Sequence, residues 1–364
     1  MGPEALIDLA ALRANLRRVK EKAPRSRVLA VIKANAYGHG AVRIARALEA
    51  ADALALARVK EAVSLRRAGI TKPLMVLEGF FDQEELEAAS AHQIELAISR
   101  PEQLDLLDRV RLTHPVSCWL KINTGMNRLG FLPEQAVAAM RRLSAAPAVQ
   151  GRVRLMSHFA NASDIEDTTT DRQLRSFTAV AEALGAGERS LANSAGILGW
   201  PDSHFEWVRP GIMLYGSSPF DEGIAKQDGL LPVMTLRSQL IAVNHCSAGD
   251  AVGYSGCWRC PEAMPVGVVA IGYGDGYPRH AASGTPVLLN GQRVSLIARV
   301  SMDMITIDLR SQPGARVGDP VILWGIGLPA EQVAAAAGTI SYQLFCGITS
   351  RVQFLERDVE DTDG

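Results

Sequence analysis

The sequence predicts an α/β protein that consists of a (β/α)8 barrel and a mainly β domain. In the first part of the 364-residue chain, eight apolar runs alternate with helical stretches. After about residue 230, short strand-like runs and turn residues replace this alternation. Strand and helix alternating eight times within about 200 residues favours a closed parallel barrel, and an open doubly wound sheet of eight strands is the alternative.

The eight predicted barrel strands are short and almost continuously apolar, as expected for strands that are buried on both faces of a parallel sheet. They are residues 28–32, 53–57, 73–77, 94–98, 116–122, 152–159, 190–194 and 207–215. Between them, Gly69 is a helix stop signal and Pro101 lies near a helix start. We expect the charged residues of these helices to form solvated faces without a chemical role.

Seven strand-like runs predict the mainly β domain. They are residues 236–245, 251–254, 266–273, 287–300, 304–309, 320–324 and 352–356. Turn signals such as Asn290-Gly291 lie within and between these runs.

The charge and hydropathy of the chain favour a small molecule as its partner. The net charge is −1, and no basic or acidic block stands out, so nucleic acid and anionic membranes are not expected partners. No segment approaches 18 apolar residues, and the N-terminus lacks the basic and apolar regions of a secretory signal. We therefore expect a cytoplasmic protein.

The five cysteines are scattered and odd in number, which predicts reduced thiols rather than a disulfide scaffold. Cys257 and Cys260 have the C-x-x-C spacing of a redox pair or of half a zinc site. A zinc site needs further ligands, and only His245 and Cys246 are near in sequence. We expect the spacing to be coincidental and predict no metal site.

Lys33 ends the first apolar run, just before a turn of small residues. Such a lysine either extends its amine to solvent or, if desolvation lowers its pKa, forms a Schiff base with a carbonyl cofactor. Residues 30–40, Ala-Val-Ile-Lys-Ala-Asn-Ala-Tyr-Gly-His-Gly, closely resemble the cofactor-lysine motif of the alanine racemases. Those enzymes bind pyridoxal phosphate on a (β/α)8 barrel, and Lys33 matches their Schiff-base lysine.

The resemblance extends over the whole chain and favours the barrel over the open sheet. In the family, the extreme N-terminus adds a strand to the β domain. We therefore predict a barrel domain that binds pyridoxal phosphate at residues 9–229. Residues 1–8 and 230–364 would form the mainly β domain, which contributes to the active site of the partner subunit.

The loops after strands seven and eight often hold phosphate in barrel enzymes. Here they contain a serine with small residues, at 193–196, and an Arg-Pro-Gly sequence, at 209–211. By resemblance, the residues that bind the cofactor phosphate are Ser194, Gly211 and Ile212, with hydroxyls added by Tyr37 and Tyr342.

Arg209 is predicted to donate a hydrogen bond to the pyridine nitrogen of the cofactor. An arginine remains protonated, so it cannot keep that nitrogen protonated as a carboxylate would. It therefore weakens the electron sink, which favours a simple proton exchange over side reactions such as transamination.

Racemisation needs an acid/base group on each face of the cofactor. Lys33 would serve one face, and Tyr254, in a segment that resembles the catalytic tyrosine segment of the family, would serve the other. A free tyrosine titrates near pH 10, so neighbouring cations must lower its pKa. His158 matches a family histidine that we expect to link Tyr254 with Arg209, and it is a candidate for such a cation.

Other segments resemble those that surround the substrate in the family. Arg128 would contact the phenolic oxygen of the cofactor and the substrate carboxylate, and Lys121 matches a lysine that is carbamylated in many members. An outward-pointing side chain is the alternative for Lys121. Three residues of the β domain are expected at the substrate pocket: Tyr273, Met302 and Asp303.

The resemblance implies an obligate homodimer in which Tyr254 and the Met302-Asp303 segment complete the site of the partner subunit. The expected reaction is the interconversion of L- and D-alanine, which would supply D-alanine for peptidoglycan or serve alanine catabolism. A racemase of broader specificity, a barrel decarboxylase and a non-catalytic carrier of the cofactor are the alternatives. The decarboxylases commonly place a carboxylate at the pyridine nitrogen, so Arg209 argues against that class.

Two positions depart from the family pattern. Ala298 stands where glycine is common, and Cys257 stands where threonine is common. Because Cys257 would lie near the mouth of a composite site, we hypothesise that its oxidation or alkylation slows catalysis.

Overall fold

A closed barrel of eight parallel strands forms the first part of the molecule, which confirms the predicted fold class. The computed structural model describes residues 2–221 and 223–359; strands are numbered β1–β18 and helices α1–α11 along the chain. The last barrel strand pairs with the first, Val208 opposite Val28, which an open sheet would not allow. The barrel strands are β2 (Arg27–Val31), β3 (Ala53–Leu56), β4 (Leu74–Val76), β5 (Glu95–Ile98), β6 (Cys118–Lys121), β7 (Arg154–Met156), β8 (Arg189–Ser190) and β9 (Trp207–Val208).

Within residues 2–221, nine α-helices lie outside or between these strands. The first is typical: Asp8 caps it by accepting a hydrogen bond from the Ala11 N–H at 2.8 Å, and its apolar face, including Leu12 and Leu16, is buried. The nine are α1 (Leu9–Lys22), α2 (Lys33–Tyr37), α3 (Ala41–Ala47), α4 (Val59–Arg67), α5 (Gln83–Ala91), α6 (Pro101–Arg109), α7 (Ala136–Ala145), α8 (Thr169–Ala183) and α9 (Ser194–Gly199).

The last two barrel strands are shorter than predicted. The run 207–215 contains only two strand residues, because Pro210 lacks an N–H for the ladder and the chain then turns into a 3₁₀ helix, Ile212–Tyr215. The run 190–194 likewise ends its strand at Ser190, and Ser194 begins α9. The small and polar residues of both runs therefore lie in loops at the C-terminal end of the barrel.

The second part is mainly β, as predicted, and is organised around the 13-residue strand β10. Six strands form a ring in the order β13-β16-β15-β14-β17-β10, and β10 pairs again with β13. The N-terminal strand β1 (Glu4–Asp8) pairs antiparallel with β10 and parallel with β18. The remaining strands are β10 (Met234–Cys246), β11 (Ala251–Val252), β12 (Trp258–Arg259), β13 (Met264–Val269), β14 (Pro286–Leu289), β15 (Gln292–Ile297), β16 (Ile305–Asp308), β17 (Pro320–Trp324) and β18 (Gln353–Arg357).

Several local expectations change in this part. The run 287–300 is a hairpin of β14 and β15, because Asn290 and Gly291 both adopt positive φ, at 50° and 79°, as its tight turn requires. Two helices, α10 (Ala330–Ala336) and α11 (Ser341–Cys346), were not predicted. Ala298 has φ 61°, a conformation that favours glycine, which explains why glycine is common at this position in the family.

One large apolar core extends from the barrel into the β domain. A second, small cluster of buried residues lies within the β domain, and Cys246 and Trp258 pack against it. Its members are Val252, Cys260, Met264, Val266, Ile297 and Ala298. In the part of the chain that the structure describes, no helix has the length and apolar character needed to span a membrane.

Candidate active site

A cavity of about 680 Å³ opens at the C-terminal ends of the barrel strands. We call it the barrel cavity. Barrel enzymes place their active sites at this end of the strands. The structure brings together there Lys33, Tyr37, Lys121, Arg128, His158, Ser194, Arg209, Gly211, Ile212 and Tyr342, all predicted site residues.

Lys33 opens a left-handed turn at the wall of this cavity. The four residues after it, Ala34 to Tyr37, all have φ between 51° and 54°. Each non-glycine residue in this conformation costs roughly 1–2 kcal/mol, so the surrounding structure must hold the turn in place. Strain of this kind is concentrated at functional sites. The sequence showed only a turn of small residues.

Three polar side chains hold the left-handed turn. The Asn35 side chain accepts a hydrogen bond from the Ala41 N–H at 2.9 Å. The His39 Nδ1–H donates to the carbonyl oxygens of Tyr37, at 2.9 Å, and Ala36, at 3.1 Å. Glu61, from α4, accepts from the Ala34 N–H at 2.7 Å. We did not single out His39 or Glu61 from the sequence, although His39 lies within the Lys33 motif.

The surroundings of Lys33 favour a neutral amine. Burial lowers the pKa of Lys33, and the nearby Arg128 guanidinium lowers it further, whereas Glu78 and Glu61 raise it. A lysine with a lowered pKa has a larger unprotonated fraction than a solvated lysine, and only the unprotonated amine can attack a carbonyl carbon. The cavity thus supplies the desolvation that the functional interpretation of Lys33 required.

A small cradle lies at the ends of β8 and β9. The Ser194 hydroxyl accepts hydrogen bonds from the N–H groups of Gly211, at 2.9 Å, and Met213, at 3.3 Å. Gly211 has no side chain, and a Cβ there would lie 2.6 Å from the Tyr37 hydroxyl. Only glycine therefore lets the tyrosine hydroxyl approach this loop, next to the serine.

Arg209 is fixed at the floor of the cavity, where it is only 3% exposed. Its guanidinium donates to the Ser190 hydroxyl at 2.6 Å and to the carbonyl oxygens of Ser157 and Leu191 at 2.5 and 3.1 Å. Burial lowers the pKa of Arg209 to about 10. It therefore remains a cation and a hydrogen-bond donor at neutral pH.

His158 lies beside Arg209, with its Nδ1 3.4 Å from a guanidinium nitrogen. Burial lowers the pKa of His158 well below its usual range, and the Arg209, Lys121, Arg128 and Lys33 charges add to this effect. His158 is therefore neutral at neutral pH. His158 is therefore not the candidate cation toward Tyr254, because it is desolvated and basic side chains already surround it. Since a guanidinium only donates, His158 Nδ1 accepts and Nε2 carries the proton.

Lys121 points into the cavity from β6 and is 8% exposed, so the alternative of an outward side chain does not apply. Burial lowers its pKa to about 8, and the neighbouring Arg209, Arg128 and Lys33 contribute. A fraction of its amine is therefore neutral near physiological pH, as reaction with carbon dioxide requires. Carbamylation of Lys121 stays a prediction.

Four predicted site residues do not line the barrel cavity of their own chain. Tyr254 is 67% exposed, on a turn after β11, and Tyr273 and Met302 are also exposed. Asp303 is exposed and pairs with Arg351 at 2.7 Å. All four belong to the β domain and face away from the core, as residues that serve another subunit would.

The cavity and its surroundings also contain residues that the sequence did not reveal. Cys346, at the end of α11, lies near Lys33. Burial raises the pKa of the Cys346 thiol, and the charge of Lys33 partly offsets this rise. Glu78 and Asp221 line the cavity wall. No motif could have shown these residues, because α11 was not predicted and isolated acidic residues in loops carry no signal.

Comparisons with known proteins cover both parts of the chain. The family described as "Alanine racemase, N-terminal domain" matches residues 7–219, and "Alanine racemase, C-terminal domain" matches residues 233–355. The alanine racemase of Nitrosococcus oceani is 55% identical over 350 residues, which are 96% of this chain and 98% of that protein. The alanine racemase of Halorhodospira halophila is 50% identical and covers 96% of each chain.

Solved structures show the same similarity. The biosynthetic alanine racemase of Pseudomonas aeruginosa superposes with a TM-score of 0.95 at 42% identity, over 98% of this chain and 99% of that one. The alanine racemase of Acinetobacter baumannii gives a TM-score of 0.92 at 36% identity, over 98% and 100% of the two chains.

Proposed function

This chain belongs to the alanine racemase family, and we propose that it interconverts L- and D-alanine by a two-base mechanism with bound pyridoxal phosphate. One observation carries the proposal: a lysine with a lowered pKa shares one desolvated cavity with a buried, charged Arg209. The first group can bind a carbonyl cofactor, and the second can donate to its ring nitrogen without holding a proton on it.

The residues of the barrel cavity fit pyridoxal phosphate. Lys33 would bind its carbonyl carbon, and Arg128 its phenolic oxygen together with the substrate carboxylate. Ser194, Gly211 and Ile212 would hold its phosphate, with the hydroxyls of Tyr37 and Tyr342. The glycine cradle and the basic residues of the cavity support this assignment, since the cofactor phosphate and the substrate carboxylate are both negatively charged. When bound, the cofactor withdraws electrons from the substrate α-carbon and so acidifies its proton.

Arg209 would restrict the chemistry to proton exchange. Its pKa of about 10 keeps it a donor across the physiological range. Because it cannot accept a proton from the ring nitrogen, it limits the electron withdrawal that transamination or decarboxylation would need. The hydrogen bonds to Ser190, Ser157 and Leu191 hold the guanidinium in place for this role.

Lys33 and Tyr254 would exchange protons on opposite faces of the substrate. The Lys33 amine takes or returns the α-proton on one face, and the Tyr254 hydroxyl of the partner subunit does so on the other. Neutral His158 would donate from Nε2 to the Tyr254 oxygen while its Nδ1 accepts from Arg209. The tyrosine would thereby be linked to the cation of Arg209 through one imidazole.

The exposure of Tyr254, Tyr273, Met302 and Asp303 supports a homodimer with composite sites. We propose that residues 1–8 and 230–364 of one subunit complete the barrel cavity formed by residues 9–229 of the other. Residues 360–364 lie outside the described part of the chain. A monomer would lack its second base.

Deuterium exchange at the α-carbon of L- and D-alanine in D₂O tests the reaction. We expect exchange with inversion from both enantiomers for the unaltered enzyme. Tyr254→Phe should lose proton abstraction from one enantiomer far more than from the other, because each base serves one face. Lys33→Ala should lose the absorbance of bound cofactor and nearly all exchange. Release of carbon dioxide, or exchange with retention only, would contradict the proposal.

We further propose that the enzyme supplies D-alanine for peptidoglycan. Its support is the similarity to the Pseudomonas aeruginosa enzyme, which is described as biosynthetic. Expression of this chain in a bacterium that lacks alanine racemases should restore growth without added D-alanine, whereas Lys33→Ala should not. Growth that still requires D-alanine, with active enzyme in the extract, would favour a catabolic role.

A further inference from the structure

We propose that Cys246 and Cys260 form a reversible disulfide, a site of redox modification at the base of the segment that carries Tyr254. We call residues 247–259 the Tyr254 segment. The disulfide is inferred from geometry alone, whereas its expected effect on turnover rests on the proposed function of Tyr254.

The backbone holds the two ends of the Tyr254 segment together. Cys246 is the last residue of β10, and Cys260 directly follows β12. The Gly249 N–H donates to the Cys260 carbonyl at 2.8 Å, and the Cys260 N–H donates to the Asp250 carbonyl at 2.9 Å. Between these two ends, the strands β11 and β12 pair over only two residues each. The cysteines thus flank a short, weakly paired loop.

The two cysteines lie together at the small apolar cluster of the β domain. Cys260 is buried in that cluster, and the half-buried Cys246 packs against it. Burial raises the pKa of the Cys260 thiol, and the neighbouring Cys246 side chain raises it further. A disulfide requires sulfurs about 2 Å apart and Cβ atoms about 4 Å apart, so two neighbouring thiols at one cluster need only a limited approach.

The structure separates Cys260 from Cys257, in agreement with a coincidental C-x-x-C spacing. Cys257 is exposed at the other end of β12, whereas Cys260 is buried in the cluster against which Cys246 packs. The proposed redox pair, Cys246 and Cys260, would therefore join the two ends of the Tyr254 segment. Cys257 serves as the control, because it is closer to Cys260 in sequence than Cys246 is but does not belong to this cluster.

A peroxide can oxidise the pair in two balanced steps. The Cys246 thiolate, the more exposed of the two, attacks one peroxide oxygen; an S–O bond forms, the O–O bond breaks, and hydroxide leaves and is protonated to water. The Cys260 sulfur then attacks the Cys246 sulfur, the S–O bond breaks, and the thiol proton leaves with the hydroxide as a second water. Two electrons pass from the thiols to the peroxide. Burial raises the pKa of Cys260, which suits a thiol that reacts second.

Closure of the disulfide would act on Tyr254 through its backbone. Gly253, Ser255 and Gly256 all have positive φ, at 72°, 62° and 50°. Glycine tolerates this conformation, whereas Ser255 is strained in it, so a shift at the base of this short segment would alter the turn around the tyrosine. A displacement of about 1 Å at a catalytic group can cost on the order of 100-fold in rate. We expect the oxidised enzyme to lose turnover by about tenfold while KM changes little.

Peptide mapping of the full-length protein tests the bond directly. The holoenzyme is treated with hydrogen peroxide, alkylated and digested without reduction. We expect the Cys246 and Cys260 peptides to be linked, with a mass loss of about 2 Da for two hydrogens, and separated by a dithiol reductant. Cys246→Ser and Cys260→Ser should each abolish the link, whereas Cys257→Ser should keep it. The absence of a link, or a link from Cys260 to Cys257, would overturn the proposal.

The rate of alanine racemisation, measured on the same samples, tests the effect on Tyr254. The peroxide-treated enzyme should lose kcat and regain it on reduction. In a Cys257→Ser background, which removes the exposed thiol whose oxidation is also expected to slow catalysis, Cys246→Ser should keep its rate through the same treatment. A linked enzyme with unchanged kcat would overturn the effect on Tyr254. If the reduced enzyme does not racemise alanine, the proposed function fails, and the peptide map still decides the disulfide.

Discussion

At residue 211, the absence of a Cβ atom leaves room for the Tyr37 hydroxyl. A Cβ at this position would lie 2.6 Å from the Tyr37 hydroxyl, and Tyr37 is buried and stacked on Tyr215 with ring centroids 4.7 Å apart. Tyr37 therefore cannot easily move aside. Overpacking of this kind costs about 1–3 kcal/mol.

We expect Gly211→Ala to weaken the retention of pyridoxal phosphate by about tenfold or more, since 1.4 kcal/mol is a factor of ten. Bound-cofactor absorbance during dialysis measures the retention. Gly199→Ala is the matched control, because its Cβ would meet Phe220 at an ordinary 3.4 Å. Equal retention by the two variants would contradict the proposed cradle.

Burial also decides the charge of His39. Its pKa is lowered to about 4, chiefly by desolvation, whereas an unfolded histidine titrates near 6.5. As the pH falls from about 6.5 toward 4, the unfolded chain therefore binds a proton that the folded chain does not, and stability is lost. The expected loss from His39 is up to about 3 kcal/mol.

Urea unfolding at pH 7 and pH 4, at one protein concentration, measures this loss. His39→Gln should show a smaller fall in the free energy of unfolding than the unaltered protein, because glutamine does not titrate. His158 remains in both proteins, so the difference reports on His39. Parallel pH dependence of the two proteins would show that His39 does not contribute.

Among the α-helices in the described part of the chain, α2 stands apart, because its residues after Lys33 are left-handed. Ala34 has φ 52° and is solvent-exposed. Glycine adopts this conformation without the steric penalty of a Cβ. In the right-handed helix α7, by contrast, glycine in place of alanine costs about 1 kcal/mol.

We therefore expect Ala34→Gly to leave stability unchanged or to raise it by up to about 1 kcal/mol. Ala138→Gly, at an exposed position of α7, should lower stability by about 1 kcal/mol. Urea unfolding of the two variants compares the same substitution in opposite backbone conformations. If both lose the same stability, Ala34 does not hold the left-handed conformation in solution.

At the scale of the whole molecule, the composite site predicts complementation between two inactive chains. A subunit with Lys33→Ala and a subunit with Tyr254→Phe would together form one intact site and one doubly defective site. The purified mixed dimer should therefore reach about half of the unaltered activity, whereas a mixture formed by random pairing in equal amounts, in which half of the dimers are mixed, should reach about a quarter.

Co-expression with two different affinity tags, followed by purification of the mixed dimer, allows the measurement. Each variant alone is the control and should remain nearly inactive. Mixed dimers as inactive as the parents would mean that Tyr254 serves its own chain, which would contradict the role of the partner subunit.

The sequence by itself determined the fold class and the placement of most candidate site residues. Apolar runs, helical periodicity and turn residues are local signals, so they placed Lys33 and Arg209 at the C-terminal ends of barrel strands. The motif around Lys33 also identified the family, which the comparisons confirm. Strand ends were less certain, as Pro210 shows, because one residue without an N–H can end a ladder that hydropathy alone would continue.

Only the tertiary structure decided which distant residues meet. Glu61 reaches the Lys33 turn from another helix, and Cys246 packs against the cluster that contains Cys260, whereas Cys257, nearer in sequence, is exposed. The neutrality of His158 depends on burial and on cations from several strands and loops. Such contacts join positions far apart in the chain, and desolvation depends on everything packed around a group, so neither leaves a periodic trace in the sequence.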